Sequence, residues 1–174
     1  MIGLGLSVGR RRSRGAGGGP TPDPHVSARY WRIFMPVPNP VTPTQNLALG
    51  RVWLYRKGAQ LPYDGVSTAE SSMYNGRSAA LTFQVSPSSD PSNPADAWTS
   101  AVANPVNQWI SVDFGGLRAV DSVAVVPMTY QNGLRNPQTF DFQYSSDGRL
   151  WTTAFSIRGL DWSDGVTKRF VVRA

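Results

Sequence analysis

Apolar and polar residues alternate at period two over several short stretches of the chain, and no long window shows the 3.6-residue period of an amphipathic helix. Residues 30–35 place Trp31, Ile33 and Met35 on one face. Residues 47–55 do the same with Ala48, Gly50, Val52 and Leu54, and Lys57-Gly58 closes that strand. In residues 109–114, Ile110, Val112 and Phe114 share a side, and Gly115-Gly116 is read as the end. A valine-rich strand follows over 120–127. Residues 140–145 set Phe140, Phe142 and Tyr144 against Asp141 and Gln143. Asp147-Gly148 then predicts a two-residue hairpin turn, in which both central residues need positive φ. Strands over 150–157 and 168–172 complete the set. The middle, 62–103, reads as loop-rich, with Asn75-Gly76, Asp90-Pro91 and Asn93-Pro94 as turn signals and short strands at 79–85 and 98–100. Short strands at regular spacing predict an all-β sandwich or jelly roll.

Composition supports this picture. Ten of the eleven acidic residues are Asp, with Glu70 the exception, and there are 17 Gly and 14 Pro. Asp, Gly and Pro favour turns and caps over helix interiors. Cysteine is absent, which excludes disulfides and thiolate metal sites. Residues 1–24 differ from the rest. They hold Arg10, Arg11, Arg12 and Arg14 among glycines, followed by Pro20, Pro22 and Pro24. Such a stretch cannot bury enough apolar surface to fold alone. It is expected to be an extended anchoring arm ahead of a domain at 25–174, held against other chains. Of the net charge of +6, +4 lies in the first 19 residues, which hold no acid, and +2 in the rest. Four charges without interleaved aromatics point to protein anchoring rather than nucleic-acid binding. No segment has the length and apolarity of a membrane span, and the order of apolar residues and charges over 1–14 is the reverse of a secretory signal.

A set of ordered motifs goes further. Ala28-Arg29-Tyr30-Trp31-Arg32-Ile33 and Leu47-Ala48-Leu49-Gly50-Arg51-Val52-Trp53-Leu54-Tyr55 come first. Trp98-Thr99-Ser100, Gln108 to Gly115, Asn136 to Phe140 and Tyr144 to Trp151 follow. Together, over residues 28–172, they resemble discoidin-like (coagulation factor type C) domains, as found in phage virion proteins. The resemblance implies a discoidin-like jelly-roll β-sandwich that binds glycans, lipids or proteins through loops at one end. It also implies that Trp98, Trp109 and Trp151 pack in the core; Trp31 is assigned there by its alternation. Many relatives hold a structural calcium. Here the matching segment reads Leu81-Thr82-Phe83-Gln84-Val85, and Arg51 stands where many relatives place Glu. Asp90, Asn93 and Asp96 are the weak calcium candidates, and no other cofactor is expected.

Catalysis is not expected. The chain has one His, His25, and one Glu, and Asp161 and Asp164 sit in a stretch that reads as a turn rather than as a glycosidase pair. Sugar recognition needs an aromatic face and planar polar groups. Two loops offer both: Tyr74, Asn75 and Arg77 in one, and Tyr130, Gln131, Asn132 and Arg135 in the other. The resulting expectation is a non-enzymatic virion component, a fibre, spike or decoration protein of a phage or phage-like particle. Its arm would dock on other virion proteins. Its sandwich, oligomeric in the particle, would bind host polysaccharide or a neighbouring subunit. The alternative is a free-standing carbohydrate-binding lectin, and a weaker third is a polysaccharide-degrading enzyme.

Overall fold

The computed structural model describes residues 25–83, 92–101 and 105–172. Eleven strands run β1 (Val26–Met35), β2 (Ala48–Leu49), β3 (Arg51–Arg56), β4 (Ala59–Gln60), β5 (Ser67–Glu70), β6 (Trp98–Thr99), β7 (Gln108–Val120), β8 (Ser122–Val126), β9 (Phe140–Ser145), β10 (Thr152–Ile157) and β11 (Lys168–Val171). One antiparallel sheet has the order β10-β9-β1-β7-β5 and faces a second of order β11-β8-β3-β4, with β2 and β6 as a separate pair. This is the expected all-β sandwich. The arm, 1–24, lies outside the described residues.

Alternation decides which side chains fill the interior. Trp31, Ile33 and Met35 on β1, Ile110 and Val112 on β7, and Phe140 and Phe142 on β9 are buried from one sheet. Val52, Leu54, Val123 and Val125 meet them from the other. Trp31 stacks on Phe142 with ring centroids 5.4 Å apart. Each such side chain contributes roughly 1.5–3 kcal/mol by leaving water. The edge of β3 is closed by a side chain. The Tyr63 hydroxyl accepts from the Leu54 N–H and donates to the Val52 carbonyl, both at 3.0 Å.

Four local expectations need correction. Residues 79–82 form a helix, α1 (Ala79–Thr82), not a strand. Its Thr82 hydroxyl donates to the Leu49 carbonyl and accepts from the Trp98 N–H, which ties the turn to the β2–β6 pair. The 62–103 stretch also holds β5, whose mixed Ser-Thr-Ala-Glu composition carries no apolar alternation. Gly115-Gly116 does not end β7. It forms a bulge between the pairs Ala28–Arg118 and Tyr30–Asp113, and the strand continues to Val120. Arg29 pins that bulge with a two-pronged ion pair to Asp113 at 2.7 and 2.8 Å, while Asp113 also accepts from the Gly115 N–H. Finally, only Gly148 of Asp147-Gly148 has positive φ. Asp147 instead uses its carboxylate to accept from the N–H groups of Arg149 and Leu150, giving a longer connection than a two-residue hairpin.

Candidate functional site: a cleft with two arginine–tyrosine pairs

The first wall is built by local sequence. Asn75 (φ 45°) and Gly76 (φ 76°) both adopt the left-handed conformation, and the Arg77 N–H donates to the Tyr74 carbonyl at 3.0 Å. That is the tight turn an Asn-Gly pair favours. It sets Tyr74 and Arg77 side by side, with the guanidinium 5.5 Å from the ring centre. Backbone bonds from Tyr74 to Thr99 and from Thr99 to Arg77 fasten the turn to β6.

The second wall is built from buried amides. Asn136 is fully buried, and its side-chain NH2 donates to the carbonyls of Met128 at 2.7 Å and Gly133 at 2.9 Å. Its Oδ1 accepts from the Met128 N–H at 2.8 Å. Buried Asn39 donates to the carbonyls of Leu134 and Asn136, both at 2.8 Å. Gly133 is held close to Trp162, whose carbonyl would lie 3.0 Å from any added Cβ. Within this frame Gln131 and Asn132 take φ of 53° and 55°, a left-handed backbone that costs a non-glycine residue about 1–2 kcal/mol. Gln131 thereby accepts from the Arg135 Nε at 2.9 Å, and Gln45 accepts from the same nitrogen at 3.3 Å. The Arg135 guanidinium lies 5.5 Å from the Tyr130 ring centre.

The two walls meet. Asn46, Tyr74, Arg77, Tyr130 and Arg135 line one cleft of about 280 Å³. Its two Arg–Tyr pairs have the same spacing, each worth about 0.5–1 kcal/mol at an exposed site. Among the described residues no carboxylate lines it, so it offers positive charge, aromatic rings and an amide. Asn46 is fixed by donating to the Ser100 carbonyl at 2.6 Å. Such a lining suits a hydroxyl-rich or anionic ligand.

The sequence-based residues therefore divide. Tyr74, Arg77, Tyr130 and Arg135 line the cleft. Asn75 makes the turn and Gln131 orients Arg135. Asn132 lines a different and smaller depression of about 150 Å³ beside Trp162 and Asp164. Asn46 and the supporting Asn39 and Gln45 carry no signal, because buried and exposed amides read alike in a sequence; Asn136 falls in a motif of the resemblance, but nothing there marks it as the buried support of the loop. Trp98 and Trp31 are buried as expected, and Trp162 is buried too. Trp109 and Trp151 are not core residues; they lie half-buried and line a cleft of the five-stranded sheet together with Arg32. Trp109 falls on the outward phase of β7, and Trp151 lies in the connection between β9 and β10.

The calcium candidates do not assemble a site among the described residues. Asp90 lies outside them. Asn93 spends its Oδ1 on the Ala95 N–H. The buried Arg51 guanidinium donates to the carbonyls of Asp96 and Gly50, which puts a fixed cation where a divalent ion would need oxygens. No cluster of three acidic or histidine side chains occurs among the described residues. Asp161 and Asp164 cap their own turn. The Ser163 N–H and hydroxyl hold the Asp161 carboxyl below its usual range, and Lys168 at 2.6 Å does the same for Asp164. Neither has the raised pKa of a glycosidase acid. His25 is half-buried at the start of the described residues, and Arg10, Arg11, Arg12 and Arg14 lie outside them. No helix among the described residues is long and apolar enough to cross a membrane.

An antiparallel sandwich whose loops enclose a cleft has the build of a ligand-binding module. Residues 66–172 match the family model of the F5/8 type C domain, and the chain belongs to that family. Its domains bind carbohydrate or other ligands and are generally non-catalytic. The match begins after β4, yet β1 lies between β9 and β7 in the sheet. No curated protein and no solved structure matches the chain.

Proposed function

We propose that this chain is a non-enzymatic recognition module of a phage or phage-like particle. Residues 1–24 dock it on other particle proteins, and the cleft with two Arg–Tyr pairs binds host surface polysaccharide. The observation that carries the binding half is the convergence of residues 74–77 and 130–135, far apart in sequence, on one cleft that no acid lines among the described residues. The particle half rests on the Gly/Arg-rich arm and on the resemblance of the ordered motifs to virion domains.

A polysaccharide array probed with the full chain tests the binding half. Saturable binding that weakens at least tenfold with Arg135→Ala or Tyr130→Ala is expected. Unchanged binding by both variants refutes the assignment. Deleting residues 1–24 should leave the domain folded and its glycan binding intact while removing it from particles. Retention on particles refutes the docking role and leaves a free-standing lectin. A second reading is favoured by Met73 and Leu134, which are 48% and 38% exposed next to the cleft residues Tyr74 and Arg135. Apolar side chains at that place suit a neighbouring subunit, and cross-linking from residue 73 within particles would report it.

A further inference from the structure

The outer face of the five-stranded sheet carries a separate cleft of about 310 Å³, which shares no lining residue with the one above. Strand register builds it. Arg32 on β1 lies opposite Ser111 on β7, and Ser111 lies opposite Ala69 on β5. This row of small residues makes a floor. Trp109, two residues along on the same face and opposite Phe34, forms one wall. Tyr30 and Trp151 form the other.

Arg32 is held in place with its donors incompletely used. Its Nε donates to the Gln143 Oε1 at 2.6 Å, and Gln143 is oriented in turn by donating to the Thr153 hydroxyl at 3.1 Å. The guanidinium lies 4.1 Å from the Trp151 ring centre. Among the described residues, neither terminal nitrogen of Arg32 has a hydrogen-bond partner. The acids on this face are engaged elsewhere. Asp113 pairs with Arg29 and Asp141 with Arg158, each at 2.7 Å, and Asp147 accepts from its own turn. Burial lowers the Arg32 pKa, the mark of a cation short of compensation.

A pair of coplanar N–H donors matches a carboxylate fork, and an indole beside it matches the apolar face of a pyranose. We propose that this cleft is a second binding site, for a carboxylate-bearing sugar of an acidic polysaccharide, with Arg32 on the carboxylate and Trp109 against the ring.

The test is titration of the full chain with trigalacturonate and with its methyl ester, read by tryptophan fluorescence and calorimetry. Saturable binding of the acid is expected, at least tenfold tighter than that of the ester. Arg32→Gln should abolish that preference. Ala69→Trp, which fills the floor from an exposed position two strands away from Arg32, should weaken binding at least tenfold in a protein of unchanged melting temperature. Arg135→Ala should leave the affinity unchanged, which separates this site from the loop cleft. Equal affinity for acid and ester, unaltered binding by Ala69→Trp, or equal binding of a sulfated neutral trisaccharide overturns the proposal.

Discussion

Replacing Asn136 with alanine removes three hydrogen bonds from a position without solvent exposure. The Met128 N–H and carbonyl lose these partners at a site where water cannot reach, while the Gly133 carbonyl keeps the Asn136 backbone N–H. At about 1–1.5 kcal/mol per bond, with buried groups left unpaired, the loss should be about 3–4 kcal/mol. That is a large share of the ~5–15 kcal/mol that holds a typical domain together. Urea unfolding followed by tryptophan fluorescence would show it as a lower midpoint with an unchanged slope. A loss below about 1 kcal/mol would refute the reasoning. Asn136→Asp sharpens the test. The carboxylate can still accept from Met128, but it faces two carbonyls that the amide had served as a donor. Its folded-state pKa should therefore be raised. The deficit should be largest above that raised value and should shrink as the pH falls from there to the ordinary aspartate value of about 3.9, because the protonated acid can donate once. A deficit independent of pH would mean that the side-chain NH2 does not point at those carbonyls.

Tyr63→Phe keeps the ring stacked on Phe114 but removes the hydroxyl that serves Leu54 and Val52; a loss of about 1–3 kcal/mol in thermal or chemical unfolding is expected. Arg29 holds the Asp113 carboxyl below the usual range, against the opposing effect of burial, and the Gly115 N–H adds to this. Asp113 therefore contributes stability that is complete above pH ~4 and is lost as the pH falls through its lower folded value. Asp113→Asn should be less stable than the parent at pH 7, with the gap narrowing in acid; parallel stability curves would contradict this.

The strands were legible wherever the core imposed alternation, as in β1, β7 and β9. The Tyr74–Arg77 wall was legible for a different reason: Asn75-Gly76 encodes its turn within four residues. What escaped depends on pairing at a distance. The bulge at Gly115-Gly116 is continued by β1 on the far side, and the pair reads locally as a stop. β5 is a strand because β7 offers it an edge, not because of its own residues. Trp109 and Trp151 were assigned to the interior by residue type and family position, whereas the phase of β7 and the shape of the turn after Asp147 turn them outward. Asn46 enters the loop cleft only because β2 runs beside β6.

The position of β1 has a consequence for how the protein comes to be. Met35 pairs with Gln108 and Tyr30 with Ser145, so this strand has no hydrogen-bonding neighbour until the chain has been made as far as β7, and its second neighbour comes only with β9. Pairings so remote in sequence put folding in the millisecond-to-second range rather than the microsecond range of local folds. During synthesis, Trp31, Ile33 and Met35 wait exposed on a strand with both edges open. That segment is where an unfinished chain is most prone to join another, and it is where a chaperone would have most to shield.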